Sequence, residues 1–387
     1  MDNFTFASPT KIIFGKGAEA ETGRETARHA RKVLLHYGGG SAKKSGLLGR
    51  VCASLREAGV EFHELPGVQP NPRLELAQEG IRICREKGIS FVLAVGGGSV
   101  IDSAKAIALG VPYKGDVWDF YTRKAEVTES LPVGVVLTIP AAGSEASVAS
   151  VVTKGQDKRD AGHECMRPRF AFMNPELTFT LPPFQTGCGA ADIMAHVMER
   201  YFTAVKGVDF TDRLCEATLR TIIDNVPAAI DRPADYDARA EVMWAGTIAH
   251  NDLLGTGRVG DWASHMIEHE ISGIYDVAHG AGLAVVFPAW MRHVYRTDVN
   301  RFARFAVRVW GVEPRFDLPE RTALEGIDRL KAFFRGIGMP TSFKELGVPT
   351  DRIPEMARKA TARGALGNFQ KLGEKDVLEI SRLASKE

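Results

Sequence analysis

The chain has 387 residues, more than the ~250 to 300 at which a single hydrophobic core usually stops growing, so two domains are expected. Charged residues make up 25%, hydrophobic residues 44%, and the formal net charge is +1, the profile of an ordinary globular enzyme with no basic excess to hold nucleic acid. Cys52, Cys84, Cys165, Cys188 and Cys215 are far apart with no CxxC pair, which argues against a disulfide framework or a thiolate zinc site.

A reducing, cytoplasmic setting fits this cysteine usage. The opening Met1-Asp2-Asn3-Phe4-Thr5-Phe6 has no charged segment followed by an apolar one, and no apolar run is long enough to span a bilayer, so no membrane partner is expected.

In chain order, residues 33–37 read as a strand and run into Gly38-Gly39-Gly40-Ser41. Residues 44–58 and 73–87 carry apolar positions at helical spacing, each followed by a glycine (Gly59, Gly88) suited to a left-handed cap. Gln69-Pro70-Asn71-Pro72 between them is a loop. Residues 91–95 form a second strand that enters Gly96-Gly97-Gly98-Ser99 and then a helix through Asp102, Lys105 and Leu109; residues 133–139 form a third. Strands alternating with helices build a parallel sheet covered by helices. After Leu181-Pro182-Pro183 no alternating strand is evident, and helices are expected over 209–225, 236–250, 261–272 and 319–336. The expected fold is therefore an N-terminal dinucleotide-binding α/β domain, residues 1–180, and an all-helical domain, residues 181–387. The two are expected to pack directly and form a cleft.

A strand, a glycine turn and a helix N-terminus suit a pyrophosphate, because the backbone can come close and the amides and helix dipole favour an anion. The turn at 96–99 departs from G-x-G-x-x-G, since residue 101 is Ile. The turn at 38–41 lacks the acid that would accept the ribose 2′-OH of NAD, and Lys43 and Lys44 follow it, so NADP(H) is expected over NAD(H). In the second half, Asp192 and His196 stand one helical turn apart, His265 and His269 repeat that spacing, and His279 follows. One Asp and three His make a nitrogen–oxygen donor set suited to Fe(II) or Zn(II). Taken singly, His196 also reads as a core histidine and Asp192 as a partner of Arg200. Glu268 and Glu270 fall on other faces of their helix and are expected to be solvated, and the run His-Met-Ile-Glu-His does not put a Glu in the zincin position.

An ordered set of segments then resembles the iron-containing (group III) alcohol dehydrogenase family along the whole length, within it the NADPH-dependent butanol dehydrogenase and aldehyde reductase branch. The segments are Ile12-Ile13-Phe14-Gly15-Lys16-Gly17, Tyr37 to Ser41, Pro70-Asn71-Pro72, Ala94 to Asp102, Gly143-Ser144-Glu145, Thr180-Leu181-Pro182-Pro183, Asp192 with His196, Asp261-Trp262-Ala263-Ser264-His265, His269 and His279-Gly280. The family's common Thr-Thr-Ala-Gly-Thr-Gly-Ser-Glu stretch is shortened here to Pro140-Ala141-Ala142-Gly143-Ser144-Glu145, as it also is in that branch.

The resemblance implies a dehydroquinate synthase-like two-domain fold with one divalent metal held by Asp192, His196, His265 and His279. It puts Gly38, Gly39, Gly40 and Ser41 by the adenosine ribose and its 2′-phosphate, and Gly97, Gly98 and Ser99 at the pyrophosphate. Asp102, Thr138 and Ser144 fall near the cofactor, as does Lys158, on a loop over residues 155–169. The implied reaction is hydride transfer between NADP(H) and a small primary alcohol or aldehyde, with His269 as proton relay or orienting residue, in a homodimer. Glycerol dehydrogenase-like polyol oxidation and a dehydroquinate synthase-like lyase are the alternatives on the same scaffold.

Overall fold

The computed structural model describes residues 1–386. The chain divides into two compact units, residues 7–180, and residues 1–6 together with those from 181 onward. Although the first six residues were expected with the α/β domain, they group with the helical unit. There the Asp2 amide donates to the Gly257 carbonyl at 2.9 Å and the Met1 ammonium to that of Lys206 at 2.7 Å.

The first unit holds strands β1 (Lys11–Phe14), β2 (Lys32–Gly38), β3 (Glu61–Val68), β4 (Val92–Gly96), β5 (Val133–Leu137), β6 (Ala149–Lys154), β7 (Asp157–Gly162) and β8 (Phe170–Met173). Its helices are α1 (Thr22–Thr26), α2 (Ser41–Lys44), α3 (Leu47–Glu57), α4 (Leu74–Lys87), α5 (Gly98–Gly110) and α6 (Trp118–Tyr121). Six strands form one parallel sheet in the order β1-β8-β5-β4-β2-β3, while β6 and β7 pair as an antiparallel hairpin. Central strands β4 and β5 are buried at every position, which is why they read as unbroken apolar runs. Helix α4 ends on Gly88 at φ 63° and the segment after α3 on Gly59 at φ 65°, the left-handed caps expected from the sequence.

Two buried polar side chains tie these layers together. Ring nitrogens of His36 on β2 lie 2.8 Å from the Leu65 carbonyl and 2.8 Å from the Ser103 hydroxyl, linking β3 and α5; burial lowers this imidazole to about 4. Lys105 on α5 is fully buried, and its Nζ donates to the carbonyls of Ser144 (2.7 Å), Ser147 (2.9 Å) and Ala149 (2.8 Å).

The second unit consists of α7 (Pro183–Tyr201), α8 (Asp209–Asp231), α9 (Tyr236–His250), α10 (Ala263–Tyr275), α11 (His279–Val294), α12 (Val299–Trp310), α13 (Pro319–Gly336), α14 (Phe343–Leu346), α15 (Ile353–Thr361) and α16 (Glu374–Ser385). Among the described residues its strand structure amounts to one isolated bridge between Leu366 and Leu372. Its core gathers Tyr201, Phe202, Phe287, Trp290, Phe302, Phe305 and Phe334, around which α7 and α11 pack on one another. No helix among the described residues is long and apolar enough to cross a membrane.

Candidate metal and dinucleotide sites

Helix α7 puts Asp192, His196 and Glu199 at i, i+4 and i+7, on one buried face. Helix α10 supplies His265, Glu268 and His269, and α11 opens at His279. Ligand atoms of Asp192, His265 and His279 all lie within 4.8 Å of one another, with His279 Nε2 3.9 Å from Asp192 Oδ1. The His196 ring centroid is 4.6 Å from that of His265, and its Nδ1 is turned to Asp192, 3.0 Å from Oδ1 and 2.9 Å from the main-chain oxygen. The four predicted ligands are thus neighbours, three of them as a converging donor set. His269 sits to one side, its ring 5.7 Å from that of His279, in a second cluster with Glu268 and His279. Arg200 is not the partner of Asp192: it donates to Asp252, to His250 Nδ1 and to the His196 carbonyl.

These donors fit a divalent cation. His265 Nε2 is buried with no hydrogen-bond partner, and Asp192 Oδ1 has only the 3.0 Å approach of His196 Nδ1, a nitrogen already bonded to the main-chain oxygen, a costly state for two polar atoms unless something shared satisfies both. Burial, reinforced by the charges of His196 and His279, holds His265 well below the usual imidazole range, so its Nε2 lone pair is available. Burial alone would raise the Asp192 carboxyl, but the His196, His279 and His265 imidazoles outweigh it and keep the group ionised.

Sequence reasoning missed the carboxylates beside these rings. Glu268 and Glu270, expected in solvent, are buried to within 1% exposure, because α10 is enclosed on nearly every side and has no solvated face at those positions. Glu270 pairs with Lys359 Nζ at 3.2 Å. Glu268 accepts from the Ser272 hydroxyl and from His279 Nδ1. Glu199, also fully buried, accepts from the His265 amide (3.1 Å), from His265 Nδ1 (2.8 Å) and from the Trp262 amide. The i+7 spacing from Asp192 was the signal available for Glu199. Trp262 holds a left-handed backbone at φ 67°, stabilised by Glu199 and by Asp261, whose carboxylate accepts the Asn368, Phe369 and Ala263 amides. Two glycines permit the close packing: a Cβ on Gly280 would lie 2.0 Å from the Cys188 carbonyl oxygen, and one on Gly282 would lie 2.6 Å from Glu268 Oε1.

In the first unit, β2 has β3 on one side and β4 on the other, so the connection out of β3 reverses direction and the switch point falls between β2 and β4. Ligands of open parallel sheets bind beyond the strand C-termini at such a point. Tyr37 pairs with Val95, so the Gly38-Gly39-Gly40-Ser41 and Gly96-Gly97-Gly98-Ser99 turns emerge side by side. Helix α5 begins at Gly98, leaving its first amides outside the helical ladder. A Cβ on Gly39 or Gly40 would meet nothing within 4 Å, open space that a cofactor can enter; Ser41, Lys43 and Lys44 are exposed beside it. The Thr138 amide donates to the Gly96 carbonyl at 3.1 Å. Asp102 is engaged internally, accepting from the Ser144 hydroxyl at 2.6 Å and the Val151 amide at 3.0 Å, and burial raises it against the charges of Lys105 and Lys158. Lys158, expected on a loop, is buried in β7 of the hairpin.

A sheet with a glycine-lined switch point and a helical unit carrying an Asp/His donor set together define a metal-dependent, dinucleotide-using class of enzyme fold. Residues 9–175 match the family described as iron-containing alcohol dehydrogenase, and residues 186–385 match the C-terminal part of the Fe-containing alcohol dehydrogenase family. The chain belongs to the iron-containing alcohol dehydrogenase family. It is 44% identical to a probable NADH-dependent butanol dehydrogenase of Bacillus subtilis, covering 99% of each chain, and 37% identical to the NADPH-dependent aldehyde reductase YqhD of Escherichia coli, covering 99% of this chain and 98% of that one. The crystal structure of NADH-dependent butanol dehydrogenase A from Thermotoga maritima superposes with a TM-score of 0.97 at 40% identity, covering 100% of this chain and 99% of the other.

Proposed function

We propose that the protein interconverts small primary alcohols and aldehydes with NADP(H), at a divalent Fe(II) or Zn(II) held by Asp192, His196, His265 and His279. The observation that carries this reading is the buried His265 Nε2, without a hydrogen-bond partner inside a donor set that converges with Asp192 and His279. Family membership and full-length likeness to butanol dehydrogenases and an aldehyde reductase support it over the lyase alternative. A divalent cation there supplies Lewis acidity toward a carbonyl or hydroxyl oxygen.

The chain's own groups do the rest. A bound nicotinamide would supply hydride to the aldehyde carbon in the reducing direction, leaving the chain to deliver a proton to the oxygen. His269, buried one turn from His265 and beside His279, is the group assigned to carry that proton. The turn ahead of α5 binds the pyrophosphate through its amides. Asp102 and Ser144, bonded to each other, fix the neighbouring loop, and Lys158 adds positive charge nearby. For the cofactor, no acid occupies residues 38–44, and Ser41, Lys43 and Lys44 favour a 2′-phosphate. Of the three relatives named above, one is named for NADPH and two for NADH. A cytosolic homodimer completes the reading by resemblance.

The test is oxidation of NADPH and NADH in parallel with a panel of short aldehydes, on protein reloaded with Fe(II) or Zn(II). Turnover with NADPH well above NADH is expected, and no aldehyde reduction with either metal would overturn the proposal. His269→Ala should lower the rate and leave the bound metal in place.

A further inference from the structure

Two of the proposed ligands share one local wiring. His265 turns Nδ1 onto Glu199 Oε1 at 2.8 Å and leaves Nε2 buried without a partner. His279 turns Nδ1 onto Glu268 Oε2, and its Nε2 is the nitrogen that faces Asp192 Oδ1 at 3.9 Å. Both carboxylates are fully buried. Each is also fixed from behind. Glu199 is held by the His265 and Trp262 amides, while Glu268 is held by the Ser272 hydroxyl and seated in the space that Gly282 leaves open. Burying a carboxylate is costly unless it is engaged, so two of them behind two imidazoles that point the same way call for a common cause.

Resting on the metal-site reading above, we propose that Glu199 and Glu268 are a matched pair of positioning residues that accept the Nδ1–H of His265 and His279. Each fixes its ring in the tautomer whose Nε2 lone pair faces the cation. A carboxylate on the far nitrogen also raises imidazole basicity, and such outer partners commonly govern metal affinity. The resulting arrangement is an inner ring of donors backed on two sides by carboxylates.

Metal affinity tests this directly. Metal-free protein is titrated with Zn(II) against a chromogenic chelator, and Co(II) is added separately to record its visible absorption bands. E199Q and E268Q should each weaken Zn(II) binding about 10- to 100-fold and shift the Co(II) bands, with far-UV circular dichroism unchanged. E199D and E268D, which keep the carboxylate, should recover part of the affinity. Glu216→Gln is the control for loss of a buried carboxylate: Glu216 bonds Tyr201 and Arg304 elsewhere in the unit, so its removal should lower stability and leave affinity and Co(II) spectrum untouched. If D192A abolishes binding while E199Q and E268Q bind Zn(II) as tightly as the parent protein, the positioning role is wrong and the metal site stands. If the parent protein binds neither Zn(II) nor Co(II), both fall.

Discussion

Replacing Gly280 by alanine tests whether the donor set depends on how closely α11 meets α7. The new methyl would lie 2.0 Å from the Cys188 carbonyl oxygen, 2.7 Å from its carbonyl carbon and 2.9 Å from its Cα. All three are main-chain atoms inside α7, so no rotamer change relieves the clash and the start of α11 must withdraw by roughly 1 Å. His279 is the adjacent residue and moves with it, although metal–donor distances tolerate only about 0.2 Å. Overpacking of this kind costs about 1 to 3 kcal/mol, which lowers the melting temperature of a unit this size by roughly 2 to 10 °C. Zn(II) affinity by chelator competition should fall by roughly tenfold or more. Gly336→Ala on α13, where a Cβ meets nothing within 4 Å, is the paired control and should be neutral or stabilising by up to about 1 kcal/mol. A G280A protein that melts with the parent and binds Zn(II) equally well would refute the reasoning.

His36, held near 4 in the fold against 6.5 as an unperturbed imidazole, is neutral when folded and takes up a proton on unfolding below pH 6.5. Its contribution is therefore complete above about 6.5 and is lost as pH falls toward 4, about 3 kcal/mol in all; urea midpoints between pH 7.5 and 4.5 should show a shallower acid slope in His36→Gln than in the parent. Lys105→Met should cost about 3 kcal/mol or more, because buried oxygens of Ser144, Ser147 and Ala149 lose their common donor, and an unchanged urea midpoint would refute that. Gly39→Asp has room for its side chain and adds the acid that accepts a ribose 2′-OH and repels a 2′-phosphate, so the kcat/KM ratio of NADPH to NADH should drop by roughly tenfold or more. An unmoved ratio would take the adenosine ribose away from this turn.

Legibility in the sequence followed burial. Strands β2, β4 and β5 were readable because both faces are covered and the residues run apolar, whereas β3, with Glu61, His63, Glu64 and Pro66, alternates burial irregularly and gives no clean period. The hairpin strand β7, Asp157-Lys158-Arg159-Asp160-Ala161-Gly162, is mostly charged and reads as a loop, although its Lys158 is buried. In the helical unit, Asp192 and His196 were visible because one turn of helix relates them. Glu199 shares that face at i+7 but carries no metal-ligand spacing of its own to single it out, and Glu268 was hidden because what buries it is packing of α10 on its neighbours, which no single helix pattern encodes.

Trp262 gives the donor set an optical reporter. Its indole lies 5.3 to 6.0 Å, ring to ring, from His265, His250 and His196, with the Arg200 guanidinium over one face at 4.8 Å. Indole emission responds to nearby charge, so a cation settling among those histidines should change the light the protein gives off. A tryptophan in a left-handed turn is therefore a built-in fluorophore through which occupancy can be followed without any label.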